Sequence, residues 1–472
     1  MRRITASFFF GLLGPVLLVS CGGASNPPAI APGTQSAQVS ISLTDAPPAG
    51  VTVFTFEVTI TGAALNPGNV DILAGKGPQR IEVKKLETEN AFLSTANIAP
   101  GNFTSLNLTF SNPELTFLNG TGSTLAGCAS GSVCEIKPSG TLSATVNGQF
   151  NSMSGTQTGV LVDLNLANLI TPSLGVDFST ASAVTATQQT KDGEGELEDI
   201  EDVDGIVASP SSSQFTLQTT DMGNITVAID SNTQFDGFDT CTSANATCVR
   251  SGQSVEVDLM LVAGGTFLAK KVELQDDTQL AADDELDGVI SKIDGPAQFE
   301  MVVNDELRAV ANVSVGDPVT VMLTTSGGGT SFQVDTNGLT VSSSLQQAFE
   351  AATDTSQLLP GQTVQVRKLT MTGGPAPAAI TITTDRVRLR DTRFTATIAG
   401  APSGNNFNVG GLPGLFTAGG ISQIQVQTSS QTNFENVSGV SGLADGSTVS
   451  LRGLLFSSTP NPVLIADKVR KR

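Results

Sequence analysis

Four of the five cysteines form two closely spaced pairs, and thiols at such spacing either oxidise to a disulfide or bind a metal. Five residues separate Cys128 from Cys134, and six separate Cys241 from Cys248. In an exported chain this arrangement favours two local disulfides. The alternative is one zinc site built from both pairs, but their spacing is wider than in a zinc knuckle and the pairs lie in different predicted domains.

Carboxylates are concentrated in two short runs, within residues 191–204 and 276–286. Like charges at this density repel each other, so we predict that both runs are solvated linkers. Oxygen-rich runs also attract hard cations, which makes calcium the alternative interpretation. Neither run has the DxDxDG-type spacing of a loop that wraps one ion. The weak candidate calcium ligands are Asp199, Asp202, Asp204, Asp283 and Asp284.

The composition excludes several kinds of functional site. The chain has no His, Tyr or Trp, so it contains neither a Ser-His-Asp site, nor a Cys-His site, nor a metal site with a His ligand. Sugar clefts that stack a ring on Trp or Tyr are excluded as well. The 24 basic and 44 acidic residues give a net charge of −20, which argues against nucleic acid as a partner because binding to phosphate backbones needs Lys and Arg.

The amino terminus has the pattern of an export signal over residues 1–20. Arg2 and Arg3 precede an apolar run of about a dozen residues, which is shorter than the roughly 20 residues that a membrane-spanning helix needs. The run ends in Leu18-Val19-Ser20-Cys21, which resembles the lipobox of bacterial lipoproteins. The resemblance implies cleavage before Cys21, a diacylglycerol on its thiol and acylation of the new amino terminus. The alternative is an ordinary signal peptide followed by an incidental cysteine.

The residues after Cys21 predict how the anchored chain continues. Position 22 is glycine, not the aspartate that resembles an inner-membrane retention signal, so we expect the outer membrane, on its periplasmic or surface face. Residues 21–35 are rich in Gly, Pro, Ser and Ala and carry no charge, which predicts a flexible tether.

The elements that follow the tether show the period of half-buried strands. Phe54, Phe56, Val58 and Ile60 alternate with polar residues, and similar alternation recurs up to residue 166. We therefore predict an all-β chain that begins with an antiparallel β-sandwich over 36–190. A helix is expected only within 82–93.

The segment 42–47, Ser-Leu-Thr-Asp-Ala-Pro, is similar to the opening signature of an uncharacterised domain family common in bacterial lipoproteins. The resemblance extends over about 36–185 and implies a β-sandwich of unknown function with no established active site to transfer. Asp45 is the single candidate residue in this domain. We expect it to cap the following Ala-Pro-Pro turn, and a ligand role is the alternative.

Three similar units follow, predicted at 204–275, 287–390 (stretched) and 391–472 (divergent). A glycine-led strand recurs at Gly252, Gly361 and Gly446, and a polar turn that closes on phenylalanine precedes each one. The turns are predicted at 231–235, 345–349 and 430–434. These units resemble a second uncharacterised family of exported bacterial proteins with a Gly-Val opening, which the third unit lacks. Five short strands with glycine at the bends predict small β-barrels of the OB type.

These features favour a non-enzymatic envelope lipoprotein that is a binding or structural module, with the barrels reaching away from the membrane. Its partner would be an envelope protein or a polysaccharide. The alternatives are a calcium-dependent surface adhesin and a hydrolase that uses paired carboxylates. No GxSxG motif occurs, and the carboxylates cluster in the predicted linkers.

Overall fold

A computed structural model describes most of the chain after the predicted tether. The described residues are 35–44, 50–73, 77–88, 91–153, 157–180, 182–189, 200–219, 222–238, 241, 245–262, 266–276, 284–306, 310–325, 328–336, 338–374 and 379–472.

The first domain, here called the sandwich (residues 35–189), consists of two facing sheets. Its strands are β1 (Gln35–Thr44), β2 (Val51–Asn66), β3 (Val70–Asp71), β4 (Gln79–Glu82), β5 (Ala91–Ile98), β6 (Gly101–Asn119), β7 (Val133–Ile136), β8 (Gly140–Thr141), β9 (Ser143–Ser152), β10 (Gln157–Asn165), β11 (Val176–Asp177) and β12 (Val184–Gln189). One sheet has the order β12-β10-β1-β5, and the other is built around β2 and β6. Most neighbours are antiparallel, but β1 runs parallel to β10 in the first of these sheets, and β8 runs parallel to β11 in a separate sheet of two strands. The predicted sandwich is therefore confirmed, with one parallel pair at the centre of the smaller facing sheet.

A β-bulge in β2 changes the face to which Phe54 belongs. The pairing of β2 with β6 shifts register between Val53 and Thr55, so the alternation slips by one position there. Val53 and Phe56 lie in the sandwich core, whereas Phe54 belongs to a separate cluster outside it. The prediction that Phe54 and Phe56 share a face is therefore wrong, because the bulge turns Phe54 outward.

Three further domains follow: the first barrel (200–276), the second barrel (284–390) and the third barrel (391–472). The strands of the first are β13 (Ile200–Ala208), β14 (Gln214–Gln218), β15 (Asn224–Ala228), β16 (Gln234–Asp236), β17 (Ser254–Val262) and β18 (Thr266–Asp276). Those of the other two are β19 (Asp284–Gly295), β20 (Gln298–Glu306), β21 (Pro318–Leu323), β22 (Ser331–Val334), β23 (Thr363–Thr372), β24 (Ile380–Ile398), β25 (Asn406–Gly410), β26 (Ile424–Gln427), β27 (Asn433–Glu435), β28 (Thr448–Phe456) and β29 (Val463–Lys471). The described α-helices are short: α1 (Leu166–Leu169), α2 (Ser343–Glu350) and α3 (Gly414–Ala418).

Each of the three domains closes into a ring of five strands with one shared order. In the first barrel β13 pairs with β14 and β17, β15 pairs with β14 and β18, and β17 pairs with β18. The pairing of the third and fifth strands, β15 and β18, is parallel. The second and third barrels repeat this order, including the parallel contact. The predicted small barrels of the OB type are therefore confirmed.

The second and third barrels share one long strand, β24. Its first half closes the second barrel, where Thr363 pairs with Arg390. Its second half opens the third barrel, where Asp391 pairs with Leu454. This explains why the third unit lacks a Gly-Val opening of its own: its first strand is the continuation of the previous strand.

Glycine is needed in the opening strands of the first two barrels because neighbouring strands approach closely there. A Cβ on Gly205 would lie 2.7 Å from Leu217 Cγ, and a Cβ on Gly288 would lie 2.8 Å from the Val302 carbonyl oxygen. Both distances are too short for a side chain, so the Gly-Val signature marks this close approach.

Two segments differ from the sequence-based expectation. Strand β13 already begins at Ile200 and β19 at Asp284, so part of each predicted acidic linker is barrel strand. The reason is that apolar residues such as Ile200 and Leu286 enter the barrel cores between the acidic ones. The turn predicted at 345–349 lies in helix α2. In the second barrel the turn that corresponds to 231–235 and 430–434 is Thr330–Phe332, and its strand β22 pairs with β24.

The domains pack against one another instead of forming an extended string. Phe54 of the sandwich contacts Val302 of the second barrel and Leu415 of the third in one buried cluster. At the other end of the chain, the Arg472 Nη2 donates to the Glu87 carbonyl oxygen of the sandwich at 2.6 Å. Arg470 donates to the same carbonyl at 3.4 Å. The domains are therefore joined through both apolar and charged surfaces, and they do not form a string of separate units.

Candidate functional site

The strand β24 carries an arginine on every second residue of one face. Arg386, Arg388 and Arg390 alternate with Val387 and Leu389, which are buried in the second barrel. Since side chains alternate between the two faces of a strand, the apolar residues face the core and the guanidinium groups face outward. Arg388 and Arg390 contact Gln275 of the first barrel, so this part of the outward face lies between two domains, whereas Arg386 pairs with Glu285 of its own barrel.

Arg390 lies at the centre of this interface. Its Nε lies 3.2 Å from Asp287 Oδ2 of the second barrel, and its Nη2 lies 4.0 Å from Asp204 Oδ1 of the first barrel. Its Nη1 donates to the side chain of Gln275, also in the first barrel. The Arg388 Nη1 donates to the Gln275 main-chain oxygen at 3.2 Å. Arg388 and Arg390 of one strand thus both donate hydrogen bonds to Gln275 near the end of β18.

The sandwich contributes a lysine to the same place. Glu82 accepts hydrogen bonds from the main-chain N–H groups of Lys84 (3.1 Å) and Lys85 (2.8 Å) and so starts a short 3-10 helix, Val83–Glu87. A helix is expected within 82–93, and this turn is its helical part. The expected helix cannot extend to residue 93, since strand β5 begins at Ala91. The Lys85 ammonium group forms an ion pair with Asp305 of the second barrel.

These side chains surround a small cavity, here called the junction cavity, to which all four domains contribute. Its volume is about 30 Å³. Its charged lining groups are Lys85, Asp204, Glu256, Asp287, Asp305, Arg390, Asp391 and Arg393. Five of these groups are acids and three are bases, so the lining carries an excess of negative charge when every group is ionised.

Burial raises the proton affinity of the acids around the junction cavity. It raises the pKa of Asp204 to about 7 and that of Asp391 to about 8, although nearby arginines oppose the shift. Burial also raises the pKa of Glu256, and the neighbouring Asp204 carboxylate adds to the effect. The Oδ1 atom of Asp391 is buried and accepts no hydrogen bond from the described residues. At neutral pH the cluster therefore holds protons that exposed carboxylates would have lost.

Carboxyl groups with raised pKa values are typical of general acids, but the space here is too small for a substrate. A volume of about 30 Å³ holds roughly one water molecule. The adjoining cavity of about 60 Å³ is bordered by Phe54, Phe394 and Leu415 and is also enclosed by several domains. The geometry therefore favours an electrostatic contact between domains over a reaction centre.

Of the predicted calcium ligands, only Asp204 has a described side chain. Asp199 and Asp283 lie outside the described residues, and Asp202 and Asp284 lie within strands β13 and β19. Asp204 faces Arg390. Within the described ranges, no three His, Cys, Asp or Glu side chains are grouped as a metal site requires.

The two predicted disulfides are present. Cys128 is bonded to Cys134 with a Cα–Cα distance of 5.9 Å, and Cys241 to Cys248 with 6.0 Å. Disulfides persist in oxidising compartments and therefore indicate an extracytoplasmic location. In the described part of the chain, no helix combines the length and the apolar character that a membrane crossing would need. Cys21 and Asp45 lie outside the described residues.

The sandwich also has an open, mostly polar groove of about 520 Å³ on its surface. It runs between residues 136–141 and 171–177. Lys137 and Asp177 are its charged side chains, and the Asp177 carboxylate accepts hydrogen bonds from the Ser179 N–H and hydroxyl groups, which lower its pKa. The groove is wide enough for a polar ligand but has no aromatic side chain in its lining.

The junction cluster was not anticipated from the sequence, although a signal for it exists. The segment 386–393 reads Arg-Val-Arg-Leu-Arg-Asp-Thr-Arg and contains four of the 24 basic residues of a strongly acidic chain. A strand with arginine on its outward face predicts a second, acidic surface that covers it. Of the acidic groups that line the cavity, Asp204 lies within the predicted linker 191–204.

Comparison with protein-family models finds two matches, both to domains of unknown function. Residues 36–194 match DUF4382, and residues 204–273 match DUF5666. A search of curated protein sequences finds no match to this chain. Among solved structures, the chain named "drosophila Unr CSD456" matches with 10% sequence identity, over 57% of this chain and 97% of that chain. The TM-score is 0.13, which does not establish a shared fold.

Proposed function

We propose that this chain is a protein of the bacterial cell envelope that is anchored by lipid on Cys21. We also propose that it is a non-enzymatic binding or structural module. The anchor rests on the export pattern of residues 1–20 and on the lipobox-like Leu18–Cys21. Two acyl chains or more give stable membrane association, because each buried methylene contributes about 0.8 kcal/mol. The extracytoplasmic location that the disulfides indicate agrees with this proposal.

The proposal that the protein is not an enzyme rests on where its buried acidic side chains lie. Three carboxyl groups whose pKa values are raised by burial, Asp204, Glu256 and Asp391, line a cavity of about 30 Å³ between domains. They face Arg390, Arg393 and Lys85 and have no room for a substrate. We infer that these three groups contribute to contacts between domains and not to acid–base chemistry. We place the binding of an envelope protein or polysaccharide at exposed surfaces such as the groove beside Lys137.

The test of the anchor is membrane fractionation of the full chain expressed in a bacterial host with an outer membrane. We expect the wild type in the outer-membrane fraction, with the mass of its amino-terminal peptide increased by the acyl groups. Cys21→Ser should be soluble or remain uncleaved, whereas the control Ser25→Ala, four residues further along, should behave as the wild type. A processed Cys21→Ser protein that still sediments with the membrane would contradict the proposal.

The test of the module is capture of partners from envelope extracts with the lipidated protein. We expect specific capture that is weakened by Lys137→Glu in the groove and unaffected by Lys292→Glu, an exposed lysine of the second barrel. Assays on glycans and peptides address the hydrolase alternative. Turnover that Asp204→Asn or Glu256→Gln abolishes would overturn the non-enzymatic proposal, and calcium-dependent capture would favour the adhesin.

A further inference from the structure

The junction cavity lies where the first barrel meets the rest of the molecule, so its charge bears on how firmly that barrel is docked. The first barrel contributes Asp204 and Glu256, and its Glu273 lies nearby. The sandwich contributes one cation, Lys85. The described contacts between the barrels include Arg388 and Arg390 of β24, both of which donate to Gln275. These described contacts of the first barrel with β24 are polar.

The groups that face the first barrel also carry more acid than base. The second barrel contributes Asp287 and Asp305, with Asp335 in range of Arg390. The third barrel contributes Asp391 and Arg393, with Asp467 close to Asp391. When every group is ionised, the three bases of the lining therefore face five acids within a cavity that excludes most water.

We propose that the junction cavity is an acid-stabilised latch, in which protonated Glu256 and Asp391 hold the first barrel against the other domains and the loss of their protons loosens it. Both groups come from facing domains, and each senses the charge of the other side. Asp391 Oδ1 is buried and accepts no hydrogen bond from the described residues, so an ionised carboxylate there is poorly compensated. Separation of the domains would expose both carboxyl groups to water.

The direction of the pH effect follows from the proton balance of the two states. In the docked state the pKa of Asp391 is raised to about 8, whereas an exposed aspartate has its ordinary value of 3.8. The docked state therefore binds the extra proton between these values. Docking is strongest below the ordinary pKa, weakens as the pH rises through this window, and loses the whole contribution above about pH 8. For each such carboxyl group, the equilibrium constant for docking falls by up to about tenfold per pH unit within this window.

The test is small-angle X-ray scattering of the full mature chain at pH 5 and pH 9. We expect the radius of gyration and the maximum dimension of the wild type to increase at pH 9, with circular dichroism unchanged because each domain stays folded. Glu256→Gln/Asp391→Asn replaces the two carboxyl groups of the latch by neutral groups of the same shape and should expand clearly less than the wild type at pH 9. Glu256→Gln alone provides a second variant, with a smaller expansion than the wild type.

The matched control is Asp230→Asn, an exposed residue of the first barrel. Its side-chain oxygen accepts from the Asn232 and Thr233 N–H groups, which an asparagine oxygen also does, so the control should expand at pH 9 as the wild type does. Identical scattering of the wild type at the two pH values would overturn the latch. Equal expansion of the wild type and of the folded double variant would overturn it as well.

Discussion

The substitution Arg390→Met tests whether the central arginine holds the domains together. Methionine keeps an unbranched apolar stem of similar reach and removes the cation. The change leaves Asp287, at 3.2 Å, and Asp204, at 4.0 Å, without their facing guanidinium group. Two unit charges 4 Å apart interact by about 4 kcal/mol at an effective dielectric constant of 20, and the desolvation of the arginine offsets part of this.

We therefore expect Arg390→Met to lower the free energy of unfolding by about 3–5 kcal/mol at pH 8, the usual cost of removing one partner of a buried ion pair. The loss should be smaller at pH 5, because Asp204, with its pKa of about 7, is then mostly neutral in the folded protein. The remaining loss reflects the contact with Asp287 and the hydrogen bond to Gln275 and amounts to about 1–3 kcal/mol.

The measurement is a urea titration followed by far-ultraviolet circular dichroism at both pH values. The transition to compare is the one that includes the second barrel, since a multidomain chain need not unfold in one step. Lys292→Met, at an exposed position of the second barrel where the lysine forms an ion pair with the surface residue Asp294, is the control and should change the free energy of unfolding by less than about 1 kcal/mol. A loss below about 1 kcal/mol at pH 8, or an equal loss at both pH values, would refute the reasoning.

Three further predictions concern the other contacts. Gly316→Val should weaken the contact between the second barrel and the sandwich by about 1–3 kcal/mol, because position 316 has a φ of +95° and a Cβ there would lie 2.9 Å from Thr116 Oγ1. An unchanged melting temperature would contradict this prediction. Phe54→Ala should cost about 3–5 kcal/mol in urea titrations despite lying outside the sandwich core, and a cost near zero would mean that the cluster between domains is not formed in solution. Replacing both Cys128 and Cys134 by serine should cost about 2 kcal/mol, as expected for a loop this short, whereas a reduced wild type should match the variant.

The sequence was sufficient for the parts of the fold that depend on local pattern. Period-two alternation identifies the strands of the sandwich, and the recurring Gly-led strand identifies the three barrels. The cysteine pairs are close in sequence, so their bonding also follows from local spacing. These features depend on residues that are neighbours along the chain.

The remaining features depend on contacts between distant residues. The bulge that turns Phe54 outward depends on the register of β2 against β6, which composition does not specify. The burial of Asp204 depends on Arg390, which is 186 positions away in the sequence. A run of carboxylates looks solvated when its distant cations are not considered. For this reason the local pattern predicts longer linkers than the structure has and does not predict the junction cavity.

The contact of the carboxyl-terminal strand with the sandwich has a mechanical consequence. Arg470 and Arg472 donate to the Glu87 carbonyl oxygen, so the last strand of the chain lies beside the domain that follows the predicted tether. A pulling force between the membrane and a partner held by any barrel would therefore be shared among parallel contacts between domains. In an extended string the same load would pass through each covalent linker in turn. The packed arrangement makes the protein stiff toward tension, and that stiffness would be lost in steps as individual contacts broke.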